Sequence, residues 1–447
     1  MRFHTVEYVL SSLSRYWPGQ TEFIRRLPVA QAAPSTLSTP PSTPPVMEEV
    51  SLPEWAKDVG VNGCLLVPQS AIVPASKQTW RYVDWFEAAF WYLSGAAEQT
   101  FESNFGVIGS NSHRLKKWDI RIWEKAWVNR IALMLRRWAA RESGSDEHLI
   151  FGTIPDAEII LTHDLDAIRK TPVLRCKQTA SRLLNAIAKI RKNHWAEGIA
   201  ASANAITFFF QSGQYDRLEK LMELEQAHQI RSMLFIYTEC KGKQNRHWAK
   251  AVVDPSPYIH DRTLLSQLDT FSQKGWPIGL HPSYASYDDP VALQAERICL
   301  EKAMQTEITQ CRQHWLRFSW DRTWRAQQTA GLTRDFSLGF NDREGFRNGA
   351  ALEFSPWDKR LNRGMKIQAI PLVLMDSQVS HDTPCVRDKR INDILEEVIA
   401  VGGQASVLWH THVLSPDFGW GDGYRTVLSN VTPLQEASNM DRQRDKA

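Results

Sequence analysis

The sequence predicts an α/β protein built around a β/α barrel, and three observations lead there. From about Pro155 onward, short apolar runs alternate with longer amphipathic stretches, the rhythm of strands alternating with helices. Several of those runs end in polar side chains able to do chemistry, as happens where barrel strands reach their carboxyl face. Residues 155–430 also leave room for the roughly 250 residues such a barrel takes. The strand candidates are AEIILTHD, RSMLFIYT, WPIGLHP, HWLRFSW, FSLGF, IQAIPLVLM and ASVLWHTH, with helices such as DRLEKLMELEQAH and PVALQAERICLEKAMQTEITQCRQ between several of them.

A chain of 447 residues exceeds one ordinary core, so a second unit is expected beside the barrel. Residues 1–28 read as a helical segment, with Val6, Leu10 and Leu13 at helical spacing. Residues 29–50 read as a linker, because five prolines amid Ser, Thr and Ala sustain neither a helix nor a central strand. Residues 51–150 form an accessory α/β domain: a strand at GCLLVP, a helix at YVDWFEAAFWYLSGAAEQTFE with Val83, Phe86, Phe90 and Leu93 on one face, and another at KAWVNRIALMLRRWAAR. That domain reads as a packing module with no active site of its own. The barrel domain fills 151–432, and 433–447 is a polar tail.

Composition narrows the function. With 43% hydrophobic and 23% charged residues, the chain is globular. The balance of 53 basic against 50 acidic residues gives +3, so no global field favours nucleic acid or an anionic membrane and any basic patch is local. Cys64, Cys176, Cys240, Cys299, Cys311 and Cys385 are scattered, without a C-x-x-C pair, which fits reduced thiols in the cytoplasm. No signal-peptide core and no apolar run long enough to span a membrane appears. The 18 tryptophans offer flat apolar faces that suit stacking on sugar rings, although most buried tryptophans simply fill cores.

Candidate chemistry sits at strand ends. After AEIIL comes Thr162-His163-Asp164-Leu165-Asp166, and period-two alternation puts both aspartates on one side, His163 and Leu165 opposite. Paired carboxylates repel unless a proton or a cation lies between them, although aspartates at such turns also cap helices. His281 ends the run WPIGLH, and imidazole with carboxylate suits zinc or a similar divalent ion. His410 and His412 close ASVLWHTH, two positions apart, and either can donate a proton near neutrality. Arg317 lies among aromatics in HWLRFSW, where a buried guanidinium needs a carboxylate partner, here Asp164.

These residues carry a resemblance to the polysaccharide deacetylases of carbohydrate esterase family four. Thr162-His163-Asp164-Leu165-Asp166 resembles the first motif of that family in the Thr-His-Asp-x-Asp form of one bacterial branch, whose members include some in surface-polysaccharide or O-antigen gene sets. His281-Pro-Ser-Tyr is similar to its second motif, Arg317-Phe-Ser-Trp to its arginine motif and Leu408-Trp-His410 to its closing motif. Gly345-Phe346-Arg347 and Pro356-Trp357-Asp358 lie in a stretch similar to one typical of that branch, and VDWFEAAFWYLSG resembles the accessory domain that precedes its barrel. The resemblance covers residues from about 155 to 430. It implies a distorted barrel in which Asp164 is the base activating water at a divalent metal, zinc foremost. Asp166 and His281 would be metal ligands, His410 the acid, and Arg317 the group orienting Asp164. The family's second histidine falls at position 285, which is alanine here, so His163, Ser283 or His412 stands as a substitute ligand.

The activity implied is hydrolysis of an N-acetyl group on an amino sugar, in a lipid-linked or nucleotide-linked glycan handled in the cytoplasm, with Trp320 and Trp357 flanking the sugar. Two alternatives accompany it: a non-catalytic glycan-binding or scaffolding protein on the same fold, motivated by Ala285, and an O-acetyl esterase.

Overall fold

Eight parallel strands, met one after another along the chain, form the scaffold of the computed structural model, which describes residues 2–32, 44–74, 79–168, 170–191, 193–211, 215, 217–238, 259, 261–416 and 418–444. Ahead of them come α1 (Arg2–Ser12), α2 (Thr21–Arg25), an antiparallel pair β1 (Met47–Ser51) and β2 (Cys64–Pro68), α3 (Trp85–Leu93), α4 (Ala96–Phe105), α5 (Trp127–Glu142) and α6 (Glu147–Phe151). The barrel then runs β3 (Glu158–Leu165), α7 (Pro172–Arg191), α8 (Trp195–Phe210), α9 (Leu218–Ala227) and β4 (Met233–Tyr237). Next are α10 (Arg262–Gln273), β5 (Ile278–His281), α11 (Pro290–Met304), β6 (Gln310–Cys311), α12 (Thr323–Thr329) and β7 (Arg334–Asp335). A small antiparallel pair, β8 (Trp357–Asp358) and β9 (Arg363–Gly364), precedes β10 (Gln368–Ala369) and β11 (Leu372–Met375). The last elements are α13 (Asp376–Val379), α14 (Pro384–Ala400), β12 (Gln404–Leu408) and α15 (Gly421–Arg444).

The strands lie in the order β10-β7-β6-β5-β4-β3-β12-β11. The two edges, β10 and β11, are separated along the chain by Ile370 and Pro371 alone. So short a link joins opposite edges only if the sheet curls round on itself, so the architecture is a distorted (β/α) barrel. Ile370 N donates to Asp335 O (2.9 Å), continuing the β10–β7 ladder, and Leu372 N at the start of β11 donates to Leu338 O (2.8 Å) just past β7, which brings the edges together. Gly339 permits that approach, since a Cβ there would meet Leu372 O at 2.7 Å. Every residue of β4, β5 and β11 is buried, as expected of parallel strands covered on both faces.

The N-terminal part shares this core. Hydrophobic side chains from Tyr8 to Val431 pack in one continuous cluster, so the 51–150 segment packs against the barrel. Tyr8 Oη donates to Ser355 O (2.8 Å), Tyr16 Oη donates to Val401 O (2.7 Å), and Arg347 pairs with buried Glu98 at 2.8 Å. Val83, Phe86 and Leu93 are buried as their spacing predicts.

Several expectations shift. The linker range 29–50 ends in β1, and the tail range 433–447 carries the helix α15 as far as Arg444. HWLRFSW and FSLGF are not strands; the strands β6 and β7 lie just before them. Pro371 splits IQAIPLVLM into β10 and β11, because proline has no N–H for the ladder. Trp320 and Trp357 are core residues. Trp320 is buried and donates through Nε1 to Glu98 at 2.9 Å, while Trp357 packs edge-on against Tyr8 and Phe90. Cys64, Cys176, Cys299, Cys311 and Cys385 are free thiols, and Cys240 lies outside the described residues. Among the described residues no helix is long and apolar enough to cross a membrane.

Candidate metal centre and active site

Five strands deliver polar side chains to one place, each at or just past the strand's carboxyl end: Asp164 and Asp166 from β3, His281 from β5, Arg312 and His314 after β6, Asp376 after β11, and His410 after β12. That is the end at which barrel loops converge. Alternation along β3 does the sorting. Thr162, Asp164 and Asp166 turn inward, where Thr162 and Asp164 both accept from the Arg312 guanidinium. His163 turns the other way, toward Glu225 of α9 (2.8 Å) and Tyr424 of α15 (3.1 Å), with its other ring nitrogen on Trp409 O.

Asp166 Oδ1, His281 Nε2 and His314 Nδ1 face one another: 3.3 Å from Asp166 to His281, 3.7 Å from Asp166 to His314, and 2.8 Å between the two rings. The proton positions follow from the partners. His281 Nδ1 lies 2.7 Å from Arg312 O; a carbonyl only accepts, so Nδ1 carries the hydrogen and a neutral ring presents a lone pair at Nε2. A second-layer bond of this kind typically fixes a metal-binding imidazole. Asp166 Oδ1 is buried and accepts no hydrogen bond from the described residues, although a buried carboxylate oxygen normally finds a donor. One carboxylate oxygen and two imidazole nitrogens therefore meet within 4.8 Å of each other, a donor set that fits zinc or a similar divalent ion.

Charge is arranged accordingly. Burial by itself would raise the pKa of Asp166, but His281, His314 and His410 outweigh it and hold this carboxyl well below the usual range. Burial disfavours a proton on His281, yet Asp164 and Asp166 prevail and raise its pKa. A cation entering the cluster competes with that proton, so metal affinity falls as pH falls.

Two flanking pairs complete the site. Asp164 is nearly inaccessible, and Arg312 Nη1 donates to its Oδ1 at 3.1 Å; its Oδ2 lies 3.9 Å from His281 Nε2. His410 Nδ1 donates to Asp376 Oδ2 (2.9 Å), which also accepts from the His410 backbone N–H (2.6 Å). This leaves His410 Nε2 aimed inward, 3.5 Å from Asp166 Oδ2. Burial opposes the charged form of His410, but Asp376 with Asp166 and Asp164 pushes its pKa up to about 10.

The structure thus brings Asp164, Asp166, His281 and His410 together. It does not bring Arg317 to Asp164: the Arg317 guanidinium donates to Tyr284 O at 2.8 Å and lies over the rings of Tyr284 and Tyr287. The arginine on Asp164 is Arg312, because β6 ends at Cys311, before the apolar stretch expected to be the strand. The third donor, which Ala285 cannot supply, is His314 and not one of the three substitutes named from sequence. His163 is engaged behind the sheet, Ser283 donates to Glu296, and His412 packs on Tyr215 and Phe418. Sequence reasoning missed Arg312, His314 and Asp376. Asp376 directly follows the apolar strand β11, a signal the sequence carries, whereas Arg312 and His314 follow the two-residue β6, which leaves none.

No family model and no curated protein matches the chain. Among solved structures it is similar to a putative polysaccharide deacetylase from Mycobacterium smegmatis, at 13% identity over 65% of this chain and 92% of that one, with a TM-score of 0.37. A polysaccharide deacetylase from Bacillus cereus matches at 9% identity over 62% and 88%, with a TM-score of 0.30. A CE4 family pseudoenzyme from Bacillus anthracis matches at 9% over 64% and 63%, with a TM-score of 0.28. The chemistry below rests on the side chains, not on these likenesses.

The two arginines separate experimentally. Arg312→Met leaves Asp164 buried without its cation and is expected to cost about 3–5 kcal/mol, read as a lowered denaturant midpoint. Arg317→Met removes contacts with exposed Tyr284 and buried Tyr287 and is expected to cost about 1 kcal/mol. Equal losses would contradict the assignment.

Proposed function

We propose that this protein is a metal-dependent hydrolase that removes N-acetyl groups from an amino sugar of a surface polysaccharide or its precursor, acting in the cytoplasm. The single observation that carries this reading is the cluster of Asp166, His281 and His314 between an arginine-held aspartate on one side and an aspartate-held histidine on the other. A metal centre flanked by a base and an acid is what amide hydrolysis requires.

Asp166, His281 and His314 would hold the ion, zinc foremost. When bound, it supplies polarisation of the amide carbonyl and acidification of water. The protein's own groups do the rest. Asp164 takes the proton from the attacking water through Oδ2, while Arg312 on Oδ1 holds the carboxylate in place. His410 gives the proton of Nε2 to the departing amine as the C–N bond breaks, and Asp376 on Nδ1 holds the ring in the required tautomer and favours its protonated form. Trp315 is 47% exposed beside His314. Its backbone sits at φ 57, and its carbonyl accepts from Asn341 at 2.9 Å. The ring offers a flat face for a sugar next to the reacting amide. Ala285, which had favoured a non-catalytic reading, loses that force because His314 supplies a third donor.

Protein loaded with zinc and given N-acetylglucosamine oligomers is expected to release acetate. Asp164→Asn should lower the rate by about 10²–10⁴-fold, and His314→Ala should lower zinc content below one equivalent. Acetate release from O-acetylated but not N-acetylated sugars would favour an esterase. Full zinc content with neither release would favour a glycan-binding role.

The pH dependence follows from His410. Its acid form is lost as pH rises through a pKa near 10, so activity has an alkaline limb. Asp376→Asn removes the first-named charge that raises this pKa. The limb should then move to lower pH, toward the ordinary histidine value, with a fall in kcat. An unmoved limb would show that His410 is not the acid.

A further inference from the structure

We propose that the α7–α8 hairpin docks on the surface of an anionic phospholipid bilayer and holds the mouth of the site against it. The two helices pair antiparallel: Gly198 faces Ala186 and Ile190 so closely that a Cβ there would meet Ile190 Cγ1 at 2.3 Å, and Thr179 Oγ1 donates to Ala205 O. That interface uses the small residues, with Ala186, Gly198 and Ala205 buried. The large apolar residues point elsewhere.

On α8, Trp195, Ile199, Ala203, Ile206 and Phe210 recur at spacings of four and three, hence on one face. The four large ones are 60%, 63%, 54% and 77% exposed. On α7, Ala180, Leu184 and Ile187 form a matching exposed stripe. At about 100° per residue, both stripes stand roughly a quarter turn from the interface in the same rotational sense. In an antiparallel pair this places them on the same side, so the hairpin presents one broad apolar face. Isolated exposed apolar residues are ordinary, whereas a contiguous face marks an interaction surface.

Charge selects the occupant. Across Pro172–Phe210 the sequence has Arg175, Lys177, Arg182, Lys189, Arg191 and Lys192 against a single acid, Glu197. Arg175 caps the carbonyls of Phe209 and Gln211, and Arg182 stacks on Phe208 and Phe418. Lys189, which pairs with Glu197, and exposed Arg191 stand at the end of α7, and the sequence there reads Lys189-Ile190-Arg191-Lys192-Asn193-His194-Trp195. A basic tip beside an exposed tryptophan and an apolar face is the pattern of a helix lying in the interfacial layer of an anionic bilayer. A second copy of the chain would oppose like charge to like charge.

The hairpin is rooted at the site. α7 begins shortly after Asp166, Phe208 packs on Phe418 with ring centroids 5.4 Å apart, and Tyr215 packs on His412, next but one to His410. Docking therefore sets the site at the bilayer surface, where the substrate class would be a glycan carried on a lipid. That consequence rests on the hydrolase reading, whereas the docking does not.

The test is sedimentation of the full chain with vesicles of phosphatidylcholine alone and of phosphatidylcholine mixed with phosphatidylglycerol. Binding is expected to the mixed vesicles only, weakening as salt screens the charges. The paired change Ile199→Ser and Phe210→Ser, and separately Arg191→Glu with Lys192→Glu, should each weaken it at least about tenfold. Zinc content and thermal midpoint should stay at the parent's values, so that loss of binding and loss of the metal centre are read separately. Absence of binding to anionic vesicles, or binding that these changes leave intact, overturns the proposal. So does a dimer that the serine changes convert to monomer without vesicle binding.

Discussion

A buried carboxylate oxygen that accepts no hydrogen bond from the described residues, Asp166 Oδ1, is the constraint around which this molecule's site is organised. Among the described residues, three aspartates, at positions 164, 166 and 376, converge there with one buried guanidinium, that of Arg312. Uncompensated buried charge is costly, so the negative charge that remains among these groups is met by protons on His281 and His410 or by a cation. The pKa directions describe the first solution, with His281 and His410 raised and Asp166 lowered. The donor geometry describes the second. Competition between proton and metal is thus built into the same set of atoms.

The rest of the fold keeps those atoms in register. Parallel pairing ties Asp164 to Phe235 and Tyr237 to His281 across β3, β4 and β5, while Leu408 pairs with Thr162. One residue of slippage would turn Asp164 and Asp166 to the outer layer. On that outer layer, Glu225 accepts from Trp276 and Tyr424 and faces His163, which meets the carbonyl of Trp409. This network binds the strand bearing the aspartates to the strand that precedes His410. The N-terminal part buttresses the barrel through Glu98 on Arg347, Tyr16 on the Val401 carbonyl and Asn129 on the Ala351 carbonyl.

Much of this was legible in the sequence, and the gaps have physical reasons. Strands β3, β4, β5, β11 and β12 are apolar runs bounded by polar residues, and the strand-end rule led to Asp164, Asp166, His281 and His410. The rule failed at β6 and β7, which are only two residues long in each case. Such strands leave no periodic signal, and the neighbouring aromatic stretch HWLRFSW took their place. That displacement exchanged Arg317 for Arg312 and hid His314 inside an imagined strand. Asp376 was missed differently: its strand was identified, but the aspartate just past it was not carried to the rule. The helices α7 and α8 were passed over because their apolar positions serve two faces, one packed and one exposed, which blurs the single stripe that marks an ordinary surface helix.

The central claim is that Asp166, His281 and His314 together hold a divalent ion. X-ray absorption at the zinc edge of the loaded protein addresses it directly. The account predicts an inner shell of nitrogen and oxygen at about 2.0–2.1 Å with the outer-shell scattering of two imidazoles, reduced to one in His314→Ala. A shell containing sulfur, or one without imidazole scattering, would contradict it.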